Sequence, residues 1–105
     1  HWGPLGATSS TYRTGSYTLS QGSFSEKFHV FSIIWTADQI AWYIDDVFYH
    51  KVARAEVSGG NYPFDKPFFF ILNVAVGGNW PGVPNNATTF PQRMIVDYVR
   101  VFKKQ

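Results

Sequence analysis

The sequence predicts an all-β fold. Apolar and polar residues alternate with a period of two in several segments, whereas helical periodicity never holds for three turns. The chain has 105 residues, enough for one small domain, and it shows neither an internal repeat nor a domain boundary. Hydrophobic residues make up 45% of the chain and charged residues only 15%, which excludes an intrinsically disordered protein.

The first strands are predicted in the N-terminal half. Residues 1–27 form a loop-rich segment with a short strand at Ser16–Leu19, and the β-prone run FHVFSIIW predicts a strand over Phe28–Trp35. Two further strands are predicted at Gln39–Ile44 and Val47–Val52. Only two residues separate them, which is the loop length of a tight β-hairpin.

The hairpin loop consists of Asp45 and Asp46. Such loops require a positive φ, which glycine adopts most easily, so Asp46 must adopt a positive φ at some cost. The two-residue loop predicts two apolar cross-strand pairs, Trp42 with Tyr49 and Ile44 with Val47. Trp35 and Trp42 are predicted in the core. His29 and His50 have no His, Asp or Glu at ligand spacing, and they are predicted to be ordinary strand residues.

A long apolar strand is predicted after the polar stretch Arg54–Lys66. It reads FFFILNVAV, and the residues on one face are all apolar, as in a packed core: Phe68, Phe70, Leu72, Val74 and Val76. The other face carries Asn73 and then a small residue as the strand approaches Trp80. This face is predicted to form the floor of a groove. The last strand is predicted over Met94–Phe102.

The segment VAVGGNWPG places the largest apolar side chain in a turn. Trp80 follows two glycines and an asparagine and precedes a proline, where a core residue is poorly placed. A turn could use the glycines and the proline, but it does not need an indole. The position therefore indicates a partner outside the fold.

Three ordered motifs carry a family resemblance that runs from His1 to Phe102. FHVFSIIWTADQIAWYIDDVFYHKV, FFFILNVAVGGNWPG and MIVDYVRVF closely resemble the C-terminal part of family-16 glycoside hydrolases, particularly the laminarinases, which are endo-1,3-β-glucanases. The resemblance implies a concanavalin A-like jelly-roll β-sandwich with an aromatic-lined glycan cleft. Residues 1–105 would then be the C-terminal part of a single catalytic domain.

The catalytic motif of that family has no counterpart in this chain. Family-16 enzymes are retaining and use a strand motif Glu-x-Asp-x-x-Glu, and retention requires two carboxyl groups about 5–5.5 Å apart. The acidic residues are Glu26, Asp38, Asp45, Asp46, Glu56, Asp65 and Asp97, and no two of them are two or four apart on one strand. We therefore assign no catalytic residue and expect the catalytic strand immediately upstream of His1. The chain alone is expected to be inactive.

The remaining candidates are substrate-binding residues. Trp80 is predicted to be a stacking platform for a sugar ring, the alternative being a cap on the end of the sandwich. Asn73 offers a donor and an acceptor for sugar hydroxyls, or it hydrogen-bonds a neighbouring loop. Asn79, beside Trp80, is a further candidate. His1 matches a family histidine beside the catalytic centre, and Trp2 is a weaker candidate.

Asp97 is the one carboxylate within a strand pattern, on a face shared with apolar residues. The resemblance implies a structural calcium ion in the complete domain, bound through this aspartate and backbone carbonyls. Calcium requires six to eight oxygen ligands, and the others would lie outside this chain. The alternative is an ion pair with Arg93, Arg100 or a lysine. No cofactor is required for the implied hydrolysis.

Composition limits the partners. The net charge is +2 without a long basic run, so no nucleic-acid partner is expected, and no stretch approaches the roughly 18 apolar residues of a membrane span. There is no cysteine, which excludes disulfides and cysteine metal sites. We expect a secreted or extracellular protein whose partners are β-1,3-glucan or mixed-linkage β-glucan.

Three function classes remain open. The chain is part of a laminarinase, a non-catalytic glucan-binding module, or a fragment that assembles with a second copy or with the missing N-terminal half.

Overall fold

The structure is a computed structural model that describes residues 1–2, 12–57, 62–79 and 82–104. The regular elements are three strands, β1 (Phe31–Trp35), β2 (Gln39–Ile44) and β3 (Val47–Ala53), and two 3₁₀ turns at Arg54–Glu56 and Pro63–Asp65. Within those described ranges, no helix has the length and apolar character needed to cross a bilayer. Contacts divide the chain into two units, His1–Phe68 and Phe69–Gln105.

The strands form one antiparallel sheet in the first unit, in the order β1-β2-β3. β1 pairs with β2 from Phe31 opposite Ile44 to Trp35 opposite Ile40. This sheet confirms the prediction of an all-β fold. β1 begins at Phe31, three residues later than predicted, and β3 extends one residue further, to Ala53.

The hairpin register confirms one predicted pair and corrects the other. Ile44 lies opposite Val47, as predicted, but Trp42 lies opposite His50 and not opposite Tyr49. The register shifts between Trp42 and Tyr43, so one residue of β3 has no partner of its own. A β-bulge of this kind cannot be read from loop length alone, because it adds a residue to one strand beyond the turn.

The hairpin loop has both aspartates in the left-handed region. Asp45 has φ of 49° and Asp46 has φ of 65°. These angles are typical of a type I′ turn, whose twist matches that of the flanking strands. The prediction that Asp46 adopts a positive φ is confirmed, and Asp45 does so as well.

The core is small and lies where the N-terminus, β3 and the segment after it meet. Its buried residues are Trp2, Val52, Val57 and Tyr62, with Trp42 and Phe64 packed against them. Trp42, which is predicted in the core, is half-buried and packs against it. Trp35 was also predicted there, but it is 43% exposed. It lies on β1, an edge strand of the sheet with a neighbour on one side only.

Three predicted strands are absent from the described residues. The segments Ser16–Leu19, Phe68–Val76 and Met94–Phe102 adopt no strand pairing, and the apolar face predicted for Phe68–Val76 is exposed. Alternation specifies which side chains share a face, but a strand also needs a neighbour for its backbone N–H and C=O groups. No such neighbour is present in the described part of the chain.

Candidate functional site

The two N-terminal site candidates have different environments. Trp2 is 8% exposed and belongs to the core. His1 is exposed, and its ring stacks on Tyr12 with centroids 5.1 Å apart and planes inclined by 27°. The guanidinium of Arg13 lies 5.4 Å from the centroid of the Trp2 ring, within cation–π range. His1 is therefore the more accessible of the two to a ligand.

Arg13 connects this N-terminal cluster to the segment after β3. One guanidinium nitrogen donates to the carbonyl of Glu56 at 3.1 Å, and another donates to the carbonyl of Tyr12 at 2.9 Å. The Glu56 carboxylate accepts a hydrogen bond from the Ala53 N–H at 2.7 Å. Sequence reasoning missed Tyr12 and Arg13, because nothing in their loop-like surroundings marks them as neighbours of His1 and Trp2.

The loop that contains the candidates Asn79 and Trp80 lies in the second unit. Gly77, Gly78 and Gly82 have φ of 72°, 118° and 79°, and the Gly82 N–H donates to the Gly78 carbonyl at 3.0 Å. Positive φ explains the glycines on both sides of the turn, since other residues adopt such angles only with strain. Asn79 is exposed, whereas Trp80 lies outside the described residues. The role of Trp80 stays a prediction.

Asn73 and Asn79 are both exposed and belong to the second unit. His1 and Trp2 belong to the first unit. The predicted binding residues are therefore divided between the two units, each of which is described by itself. Their roles in substrate binding stay predictions.

His29 has a carboxylate partner that the sequence did not indicate. Its Nδ1 lies 2.6 Å from Oδ2 of Asp45, and the other carboxylate oxygen of Asp45 accepts the Val30 N–H at 2.9 Å. The prediction that His29 is an isolated strand residue is therefore wrong: it precedes β1 and is paired. The Val30 N–H and His29 hold the pKa of Asp45 below its usual range.

The His29 side chain is 1% exposed, and the edge of the Phe24 ring packs against it with centroids 5.1 Å apart. Its Nε2 is buried and has no hydrogen-bond partner. The pair links the segment before β1 to the hairpin loop, where Asp45 N–H also donates to the Val30 carbonyl at 2.9 Å. This arrangement stabilises the loop that carries two strained aspartates.

His50 lies in β3, as predicted, and is enclosed by neighbours. Its ring lies 5.2 Å from that of Trp42, and Gly15 approaches so closely that a Cβ there would collide with the imidazole. The approach explains a glycine at position 15. Nε2 of His50 is buried and has no hydrogen-bond partner, and the described residues contain three more buried side-chain atoms of this kind. They are Nε1 of Trp2, Nε2 of His29 and the hydroxyl of Tyr62.

Tyr62 is the most enclosed aromatic residue of the core, with 3% exposure. The guanidinium of Arg54 lies 5.0 Å from its ring centroid, and Phe64 contacts it edge-on at 5.4 Å. Burial raises the pKa of Tyr62.

Two further carboxylates, those of Asp65 and Glu56, have partners close by. Asp65 lies 3.6 Å from a guanidinium nitrogen of Arg54 and 3.4 Å from Nζ of Lys66. Asp46 is in the hairpin loop, and Glu56 receives the Ala53 N–H. The assignment of no catalytic residue to the chain stays a prediction.

Asp97 is exposed in the second unit. Within residues 82–104 it forms no ion pair, and Arg100 instead lies over the ring of Tyr98 at 4.3 Å. No group of three or more His, Asp or Glu side chains that could hold a metal ion occurs in the described part of the chain. These residues alone do not fit a calcium site, so ligands from elsewhere would be needed.

Comparison with known proteins gives a family match. The model of glycosyl hydrolases family 16 matches residues 6–100. Glucan endo-1,3-beta-glucosidase A1 of Niallia circulans is 43% identical over 99 residues, which cover 87% of this chain and 14% of that protein. Beta-glucanase of Rhodothermus marinus is 40% identical over 82 residues, or 72% of this chain and 29% of that protein.

Another relative is named for binding and not for hydrolysis. Beta-1,3-glucan-binding protein of Penaeus monodon is 32% identical over 113 aligned positions, which cover 87% of this chain and 30% of that protein. The chain thus spans less than a third of the length of each of these relatives. No solved structure matches it significantly.

Proposed function

The chain belongs to glycosyl hydrolases family 16, and we propose that it is part of a retaining endo-β-1,3-glucanase of the laminarinase type. In this role it contributes cleft and scaffold strands, while other parts of the enzyme supply the catalytic carboxylates. The family match over residues 6–100 is the observation that carries the proposal. The 43% identity to a glucan endo-1,3-beta-glucosidase supports the β-1,3 linkage, with mixed-linkage β-glucan as a further substrate.

The chain by itself is proposed to be inactive. A retaining glycosidase needs a nucleophile and an acid/base about 5–5.5 Å apart. The two aspartates adjacent in sequence, Asp45 and Asp46, lie in a hairpin loop, and Asp45 is occupied by His29 and the Val30 N–H. A carboxylate with a lowered pKa and two hydrogen-bond donors is unsuited to act as the general acid.

Substrate contacts are proposed for the binding residues that the sequence predicts. Trp80 would stack on a sugar ring. Asn73 and Asn79 would accept hydrogen bonds from the sugar hydroxyls and donate hydrogen bonds to them. His1 would contact the sugar near the catalytic centre, whereas the burial of Trp2 favours a supporting role under that contact. Asp97 would bind a structural calcium ion together with oxygens from outside this chain.

The complete fold is proposed to be a jelly-roll sandwich. The exposed apolar face of Phe68–Val76 supports this, because such a face is stable only when a second layer covers it. Either the missing N-terminal half or a second copy of the chain would provide the cover. A secreted or extracellular location follows from the substrate, since a polymeric glucan does not enter cells intact.

The first test is hydrolysis. The purified chain, with its mass verified, is incubated with laminarin, and reducing ends are measured against a buffer blank and against Glucan endo-1,3-beta-glucosidase A1 as a positive control. We expect no release above the blank, because binding residues cannot replace the two carboxylates. Turnover by the 105-residue chain would contradict the assignment.

A glucan-binding module is the second candidate, favoured by the relative named Beta-1,3-glucan-binding protein. The affinity of the chain separates the two. Half of a cleft should bind β-1,3-gluco-oligosaccharides with a Kd in the millimolar range, about −4 kcal/mol, whereas a module that functions as it stands should reach micromolar values, about −8 kcal/mol.

Tryptophan fluorescence titration of the wild type and of Trp80→Ala measures this affinity. Loss of most of the binding in Trp80→Ala is expected if its ring is the stacking platform. Equal affinity of the two proteins would assign Trp80 to structure.

A further inference from the structure

A small open cavity lies beside the end of β1, in the first unit of the chain. Its volume is about 260 Å³. Six residues line it: Trp35, Thr36, Ala37, Phe64, Asp65 and Lys66. Typical small-molecule pockets measure about 300–1,000 Å³, so this cavity has room for at most a small ligand, of about the size of a single sugar ring.

The indole of Trp35 is held in one orientation at this cavity. Its Nε1–H donates to the carbonyl of Phe64 at 2.6 Å, and its ring makes an edge contact with Phe68 at 5.7 Å between centroids. Even so, 43% of Trp35 is exposed. A large aromatic side chain that is fixed by a hydrogen bond and open to solvent loses little entropy when a ligand stacks on it.

Polar groups at the rim complement the indole. The Asp65 carboxylate lies 3.4 Å from Nζ of Lys66 and 3.6 Å from a guanidinium nitrogen of Arg54. Both distances exceed those of a well-formed N–H···O bond, so the carboxylate oxygens retain capacity for hydroxyl donors. The exposed ammonium of Lys66 has three donors of its own.

We propose that this cavity, which we call the Trp35 pocket, is a second glycan-binding site that takes one pyranose unit of a β-glucan. The C–H face of the sugar would pack on Trp35, and its hydroxyls would donate to Asp65 and accept from Lys66. The proposal rests on the proposed function for the nature of the sugar. All residues that line the Trp35 pocket belong to the first unit, whereas Asn73 and Trp80 belong to the second.

The test is an NMR titration of the ¹⁵N-labelled chain with a β-1,3-linked glucose trisaccharide. Each of the four tryptophans gives its own indole N–H resonance, so Trp35 and Trp80 report on the two sites separately. We expect the Trp35 resonance to shift along a saturable curve. A Trp35 resonance that stays in place overturns the proposal, and a simultaneous shift of Trp80 would show that the proposed function survives.

Variants at the rim check that the shift reports binding in the pocket. Lys66→Ala and Asp65→Asn should each raise the Kd read at Trp35 about threefold or more and leave the Kd read at Trp80 unchanged. Lys51→Ala is the matched control, because Lys51 lies in β3 and does not line the cavity. Unchanged affinity at Trp35 in both rim variants would overturn the proposed contacts. An equal loss of affinity in Lys51→Ala and Lys66→Ala would show that the loss in Lys66→Ala comes from the change in net charge and not from a contact in the pocket.

Discussion

Replacement of Tyr62 by phenylalanine should stabilise the first unit of the chain. The hydroxyl of Tyr62 is buried and has no hydrogen-bond partner, while its ring contacts Phe64 and Arg54. A buried hydroxyl without a partner costs about 1–3 kcal/mol, and the substitution removes this group while keeping the ring. We expect a gain of about 1 kcal/mol, near the lower end, because neighbouring groups can relax around the hydroxyl.

Urea unfolding monitored by fluorescence measures the effect, at one fixed protein concentration so that any association is held constant. With a slope of about 2 kcal/mol per molar urea, the midpoint should rise by roughly 0.5 M. Tyr43→Phe is the matched control, since Tyr43 is only half-buried and its midpoint should hardly change. A lower midpoint for Tyr62→Phe would refute the reasoning and show that the hydroxyl makes a stabilising bond.

The same substitution predicts a change in alkaline stability. Burial raises the pKa of Tyr62, so the folded state retains the phenolic proton at a pH where the unfolded chain releases it. The resulting stabilisation is present below the unfolded pKa of about 10 and is lost as the pH rises through the folded value. Tyr62→Phe should therefore lose less stability than the wild type above about pH 10.

Three further predictions concern the hairpin and the association of the chain. The pKa of Asp45 is lowered, so its stabilising contribution is present above the unfolded pKa of about 3.9 and is lost as the pH falls through the folded value. Asp45→Asn should therefore flatten the acidic part of the pH profile of stability, measured by urea unfolding. An unchanged profile would contradict the pairing with His29. Asp46→Gly should stabilise the hairpin by about 0.5–1 kcal/mol, because glycine adopts the observed φ of 65° without strain, and an unaltered thermal midpoint would show that the aspartate is not strained. The exposed apolar segment Phe68–Val76 should make the chain oligomeric in sedimentation at micromolar concentration, whereas a compact, cooperatively unfolding monomer would contradict this expectation.

The sequence was most informative where partners are close along the chain. The strands β2 and β3 and their two-residue loop were predicted because the alternation and the loop length both act within about 15 residues. The bulge that places Trp42 opposite His50 was not predictable, since it depends on packing of the two faces. The pairing of Asp45 with His29, 16 residues away, leaves no pattern in the sequence.

The candidate site illustrates a different limit. The glycines around Asn79 indicated a turn, and the positive φ angles of Gly77, Gly78 and Gly82 confirm it. The surroundings of the side chains in this turn depend on how the neighbouring segments pair with distant parts of the chain. In the described residues, Phe68–Val76 and Met94–Phe102 have no strand partner. Alternation predicted a packed apolar face in Phe68–Val76, but it contains no information about which strand would lie beside this segment.

The three-stranded sheet has a consequence for the order in which the chain folds. All three strands lie within residues 31–53 and are joined in sequence order, so every strand pair closes over a short stretch of chain. A β-hairpin forms in about 1–10 μs, far faster than pairings between distant segments. The bond from Asp45 to His29 then draws the start of β1 to the hairpin without any help from residues beyond 53. During synthesis, this meander can therefore be complete before the apolar segment Phe68–Val76 has left the ribosome.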